Sequence, residues 1–370
     1  MNFLFDQDQD LLRDAAKKLL GDKATLESAH KHMDSGTDYD KDLWKLMAEN
    51  GWQGIAIPEQ YGGSEMTYLD LAVVAEELGY HYAHTPFSAS IFGAAEAVLT
   101  AGSDKQKNDI LPKLVSGDLV GTLAFYEQSG RYDAAGITAE VKGGKLTGTK
   151  VPVSDGLCAD IAIVAANSAK GLSLYVVDLT QSGVNRTELK TFELTRKQAT
   201  ISFEGVDAEL LGAEGEGEKL LEATINRTAI LTAFEQLGGA QRSLDMARDY
   251  SLERFAFGRQ IGSYQAIKHR LADMYVKVEM ARSNCFFGAW ALTSSEADIP
   301  EAAALSRVSA IDAFSFAAQE NVQIHGGIGF TWEADPHLFL KRMKLQEALL
   351  GSGGIWKEKL YQALAAKNAA

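Results

Sequence analysis

Cysteine is nearly absent from the 370 residues: Cys158 and Cys285 are the only two, far apart and unaccompanied. Their spacing excludes a disulfide framework and a CxxC metal site, and both read as small buried hydrophobes, so no metal is expected. Basic charge is also short. The 36 Lys and Arg stand against 50 Asp and Glu, for a net charge of −14 and a pI near 5.0. Nucleic acid is therefore an unsuitable partner, because its phosphates need a basic surface, and any anionic ligand must be held by local donors. No window approaches the roughly eighteen uncharged apolar residues that span a bilayer, so no membrane insertion is expected. The opening MNFLFDQDQDLLRDAAKKLL carries acids early and interrupts its apolar run with charge, unlike a secretory signal. A cytoplasmic location is the resulting expectation. Internal repeats and low-complexity tracts are lacking too.

What is present is a globular composition, 46% hydrophobic and 23% charged, over a length that admits two or three domains. The texture changes twice. Up to about residue 120 apolar residues recur at three and four, as in Leu11, Leu12, Ala15 and Leu19, then Leu69, Leu71, Val74 and Leu78. This spacing predicts amphipathic helices, with GIAIPEQYGG (54–63) as a buried loop between them. From 121 to 208 the period becomes two or the runs become short and β-branched, with Gly143-Gly144 as a hairpin signal. That stretch is too short for a doubly wound sheet. From 209 to 370 the pattern is helical again, and no proline occurs between Val153 and Ile299, which predicts long helices packed as a bundle.

Three glycine-bearing stretches carry the candidate chemistry. SLERFAFGRQIGSYQ (251–265) places Arg254, Phe257, Gly258 and Gln265 at a turn between two long helices. Arg254 offers a planar fork of donors suited to phosphate, Phe257 a flat apolar face, Gly258 close backbone access and Gln265 a paired donor and acceptor. The competing reading is a capped turn with a solvated arginine. QIHGGIGF (323–330) supplies Gln323 and, after a helix, the Gly326-Gly327 corner. Backbone amides there can approach a pyrophosphate, or the glycines simply cap the helix. His325 has no second ligand at metal spacing and reads as a hydrogen-bonding residue. LLGSGG (349–354) poses the same choice between phosphate cradle and helix stop.

Taken together, IPEQYGG (57–63), ERFAFGRQIGSYQ (253–265) and QIHGGIGFTWE (323–333) resemble the acyl-CoA dehydrogenase family in their order and spacing, and the resemblance covers the whole chain. It implies a mostly α fold with an N-terminal helical domain (1–120), a middle β-barrel (121–208) and a C-terminal four-helix bundle (209–370). It implies FAD, with the ADP half met by Arg254, Phe257, Gln265, Gln323, Gly326 and Gly327, partly across a subunit interface. It also implies an acyl-CoA substrate, a carboxylate that removes the α-proton, hydride transfer from Cβ to the flavin, and an electron-transfer flavoprotein as acceptor. A dimer of dimers follows, homomeric or α2β2.

The chain departs from the family pattern where the base is expected. In most members a glutamate precedes the glycine of the LLGSGG corner, and here that position is Leu350. Other members keep it on the first long bundle helix, at a position that registers with Thr228. Two segments that touch the flavin in relatives read YEQSGRYD (126–133) and VPVSDG (151–156), where Ser154 still offers a hydroxyl. These departures resemble the branch containing subunits of two-component acyl-CoA dehydrogenases for steroid side chains and dicarboxylic acids, in which one subunit can carry the base and the other complete the FAD pocket. One acid remains as an in-chain base: Glu235, two turns beyond Thr228 on an apolar helix, where desolvation favours a raised pKa. Its structural alternative is a glutamate paired with an arginine such as Arg227 or Arg242, or one facing solvent. Three functions stand at this point: a dehydrogenase acting alone or within a heteromer, a non-catalytic FAD-binding or structural partner subunit, and a flavin-dependent acyl-CoA oxidase.

Overall fold

A computed structural model describes residues 6–131 and 134–369. Along the chain it has helices α1 (Gln7–Lys23), α2 (Leu26–Ser35), α3 (Lys41–Glu49), α4 (Tyr68–Tyr80), α5 (Glu96–Ala101) and α6 (Asp104–Val115). Strands follow: β1 (Gly121–Ala124), β2 (Glu140–Lys142), β3 (Lys145–Ser154), β4 (Ile161–Ser168), β5 (Gly171–Asp178), β6 (Val184–Leu189), β7 (Gln198–Asp207) and β8 (Glu209–Leu211). The C-terminal part is helical: α7 (Gly217–Glu253), the short strands β9 (Phe255–Ala256) and β10 (Arg259–Gln260), then α8 (Gln265–Ser294), α9 (Ile299–His325), α10 (Pro336–Ala348) and α11 (Gly353–Ala369). No described helix is long and apolar enough to cross a membrane.

Local sequence explains the helix starts. Asp6 with Gln9, Thr67 with Asp70 and Ser103 with Gln106 each close a reciprocal capping box at the start of α1, α4 and α6, so two orphan amides are satisfied at each start. The described residues fall into two compact units, one made of 6–30, 67–83 and 229–369, the other of 31–66 and the described part of 84–228.

In the second unit the expected β region is an eight-stranded sheet ordered β6-β7-β3-β2-β4-β5-β8, with β1 added parallel to β4. The path is open: among the described residues no pairing joins β6 to β8, so the sheet does not close into a barrel. Register shifts on β3 at Leu146/Thr147 and Lys150/Val153 bend it locally. The Gly143-Gly144 turn, with φ of 58° and 76°, makes the two-residue hairpin that its sequence predicts. In the same unit the GIAIPEQYGG segment is an irregular loop with Ile55, Ile57 and Tyr61 buried.

The first unit is helical. There α4 and α7 touch backbone to backbone: a Cβ on Gly79 would lie 1.8 Å from the Glu235 carbonyl oxygen, and one on Gly238 1.8 Å from that of Glu76. Glycine at both positions is what lets the two helices approach this closely. Glu76 is then held between cations, 2.8 Å from Arg13 Nη2 and bonded to Arg282.

Candidate functional site

Three helix ends of the first unit build the site. α7 stops at Glu253, and the chain reverses through β9 and β10, which pair antiparallel with Ala256 opposite Arg259. Phe257 and Gly258 form the tip with φ of 54° and 82°, the mirror-image turn that matches strand twist. Phenylalanine is costly in that conformation, and its ring is also 97% exposed. Neither packing nor backbone preference accounts for it, which marks the tip as a contact point. Tyr264 steadies the hairpin by donating to the Ala256 carbonyl at 3.0 Å, with the Arg259 guanidinium 3.9 Å over its ring. Arg254 and Gln265 are exposed on either side.

Gln265 opens α8, a 30-residue helix with no side-chain cap and no acid in its first turn. Its leading amides are therefore available to an anion, with the helix dipole in its favour. At the third end, α9 stops at His325 and Gly326 turns the chain with φ 68° and ψ −146°. The glycines that follow differ in kind. A Cβ on Gly329 would sit 2.8 Å from the Val322 carbonyl oxygen, whereas a Cβ on Gly326 or Gly327 meets nothing within 4 Å. Internal packing explains Gly329 but not Gly327. A bare backbone facing open space suits a ligand that comes close, and Gln323 is exposed one turn before it. The stacked rings of Tyr250 and His325, 4.1 Å apart at 21°, join the ends of α7 and α9. The segments that hold six of the expected cofactor contacts and Gly258 are thus tied together, and their donors fit a phosphate-bearing, partly aromatic group.

Ser154 belongs to the other unit, where it donates to Gln198 Oε1 at 3.1 Å and its carbonyl accepts from Thr122 at 2.7 Å. Nearby in sequence, Glu127 accepts from Lys150 Nζ at 2.7 Å, from the Thr138 hydroxyl at 2.5 Å and from the Ala139 amide at 3.0 Å. Burial opposes its charge, but these donors hold the carboxyl below its ordinary range. Tyr132 and Asp133 of the YEQSGRYD segment lie outside the described residues.

The positions expected for a base are occupied differently. Thr228 is buried, its hydroxyl 2.5 Å from the Phe92 carbonyl and 2.8 Å from that of Thr224. Leu350 is buried with a left-handed φ of 62°. Its corner is braced by two residues that sequence reasoning missed: Arg307, wholly buried, donates to the Gln346 and Leu349 carbonyls, and Trp356 Nε1 donates to the Leu350 carbonyl at 3.0 Å. A lone arginine among small and apolar residues in LSRVSAI was the available signal for the first. Glu235 is 3% exposed, with Arg342 Nη1 3.7 Å from its Oε1. Arg342 also lies 4.2 Å over the Tyr82 ring and donates to the Ala83 carbonyl.

Two family models match the chain, "Acyl-CoA dehydrogenase, N-terminal domain" over residues 6–118 and "Acyl-CoA dehydrogenase, C-terminal domain" over 215–365. The chain is 34% identical to acyl-CoA dehydrogenase IpdE2 of Mycolicibacterium smegmatis, covering 93% of this chain and 95% of that protein. Among solved structures it is similar to the ChsE4-ChsE5 complex from Mycobacterium tuberculosis, with a TM-score of 0.90, 26% identity and 99% of each chain covered. It is also similar to the Tcur3481-Tcur3483 steroid ACAD, with a TM-score of 0.89, 26% identity and 98% and 99% covered.

Proposed function

This chain belongs to the acyl-CoA dehydrogenase family of flavoprotein oxidoreductases, with FAD as cofactor, and we propose that it is one subunit of a heteromeric member whose base comes from a related subunit. The observation that carries the proposal is the braced Leu350 corner: it has no titratable side chain where the family resemblance implies a glutamate. Thr228, at the other position, is committed to backbone carbonyls. Glu235, the remaining in-chain base, is the alternative source, and its pairing with Arg342 favours a packing role. Two of the similar structures are named as pairs of chains, which supports a heteromer, and one of them as a steroid enzyme, which supports a bulky, steroid-derived acyl group. The division at 1–120, 121–208 and 209–370 is part of the same reading.

In this reading Arg254 would hold the pyrophosphate of FAD, the α8 amides beside Gln265 would add a second anion contact, and Gly326 and Gly327 would let the backbone approach. Gln323, Phe257 and Gly258 line the rest of the ADP half, and Ser154 serves the flavin end. Bound FAD would supply the hydride acceptor for Cβ, and the related subunit's carboxylate would take the α-proton, so that the α,β double bond forms with atoms and electrons in balance. An electron-transfer flavoprotein is the proposed acceptor that returns the cofactor to its oxidised state.

The test is anaerobic mixing with a panel of acyl-CoAs, reading the flavin absorbance of the chain alone and of its complex with a co-encoded relative. Bleaching by the complex, with the chain alone slower by roughly 10²-fold or more, is expected. Fast bleaching by the chain alone that disappears in a Glu235→Gln variant still folded and FAD-bound would place the base on Glu235 and overturn the partner assignment.

A further inference from the structure

Resting on that reading of the cofactor site, we propose that Tyr250 and His325 are positioning residues: their stack sets the separation of the Arg254 hairpin from the Gly326-Gly327 corner, so that one ADP group can meet both. Tyr250 lies one turn before Arg254, and its carbonyl accepts from the Arg254 amide at 2.9 Å. His325 is the last residue of α9, immediately before Gly326. The stack is therefore one residue from one group of contacts and one turn from the other. Its rings are 4.1 Å apart and 21° from parallel, so a change in either helix end is felt by the other.

The histidine is fixed independently of its stacking partner. Its Nδ1 lies 2.8 Å from the Asn321 carbonyl oxygen. A carbonyl only accepts, so the neutral ring carries its proton on Nδ1, and that bond sets the ring plane across the last turn of α9. Burial pushes the imidazole down, which keeps it neutral. One turn deeper, Asn321 Nδ2 lies 3.9 Å from Met246 Sδ, a weak contact between the same two helices. Arg270 to Glu320 at 3.6 Å joins α8 to α9 through a half-exposed arginine and constrains little. Deeper in the bundle α7 meets α9 where Gly239 faces the Phe314 ring, and at the helix ends the aromatic pair registers the one against the other. A phosphate-bearing group held from two segments loses affinity when their spacing drifts, because its hydrogen bonds tolerate only small displacements.

The experiment uses the full chain, or its purified complex, stripped of flavin and titrated calorimetrically with FAD and with ADP alone. Tyr250→Leu should weaken both ligands by about tenfold, whereas Tyr250→Phe, which keeps the stack, should leave both unchanged. The near-ultraviolet circular dichroism of the apoprotein, measured beside it, should report a folded Tyr250→Leu variant. If Tyr250→Leu does not fold, His325→Leu carries the same test from the other ring. Unchanged affinity in a folded stack-deleting variant overturns the inference, and so does a Tyr250→Phe variant as weak as Tyr250→Leu. A wild-type apoprotein that binds neither FAD nor ADP overturns the cofactor reading itself.

Discussion

Arg342 and Glu235 form a buried ion pair, Nη1 3.7 Å from Oε1, with each side chain 3% exposed. Removing one member of such a pair leaves the other charge desolvated, whereas replacing both with apolar groups of similar size is tolerated. Glu235→Gln should therefore destabilise the chain by about 3–5 kcal/mol, and the double variant Glu235→Leu/Arg342→Met should recover most of that loss. Urea denaturation checks both. An unchanged midpoint in Glu235→Gln would remove the structural role and leave catalysis as the reason for this carboxylate.

The hairpin tip offers an opposite trade. Phe257 sits at φ 54° and is 97% exposed, so it gives the free protein neither packing nor a relaxed backbone. Asparagine tolerates the left-handed region. Phe257→Asn should raise the stability of the flavin-free protein by about 1 kcal/mol and lower FAD affinity. Equal FAD affinity in the variant would show that the strained tip serves something other than the cofactor.

Buried ionisable groups give stability a pH dependence with two opposing slopes. Burial first, then Glu76, pushes the Glu77 carboxyl up to about 7, with Lys17 and Arg13 pulling it down. Burial holds His81 and His32 down at about 4. The raised carboxyl contributes stability fully present below its unfolded value of 4.5 and lost as pH rises through about 7. The lowered histidines do the reverse: their contribution is present above 6.5 and lost as pH falls toward about 4. Glu77→Gln should accordingly be more stable than wild type above pH 7 by roughly 2–4 kcal/mol, the gap closing toward zero near pH 4.5. A gap independent of pH would mean that the Glu77 carboxyl titrates alike in the folded and the unfolded chain.

The sequence announced what depends on neighbours along the chain and concealed what depends on neighbours across it. The Gly143-Gly144 hairpin and the turn at Phe257-Gly258 follow from local rules, and the structure has both of them. The glycine corner at Leu350 was readable as well, and the structure turns there with φ 62°. Its brace was not, because Arg307 and Trp356 lie 43 residues before and six after the corner, and nothing local specifies that their donors converge on its carbonyls. Glu235 is similar: its apolar helix pointed to burial, but the partner, Arg342, comes from α10 and not from its own helix. The open sheet path likewise depends on which edges meet, and alternation alone is silent on that.

The corner itself provides the last prediction. Its shape is held through backbone, with the Leu350 carbonyl accepting from Trp356 and the Leu349 carbonyl from Arg307 at 2.7 Å, so a new side chain at 350 leaves both braces in place. Glutamate in the left-handed conformation costs about what leucine does, so Leu350→Glu adds no new backbone strain. The position is buried, 8% exposed, and a carboxyl there should have its pKa raised toward the range of a working base. Leu350→Glu is therefore expected to let the chain reduce its own flavin with an acyl-CoA, at least about tenfold faster than the wild-type chain alone, with the rate rising with pH as the carboxyl ionises. Anaerobic stopped-flow at several pH values measures it. A variant that binds FAD normally and shows no gain would mean that this corner does not face the substrate α-carbon, and the reasoning that moves the base to a partner subunit would fail with it.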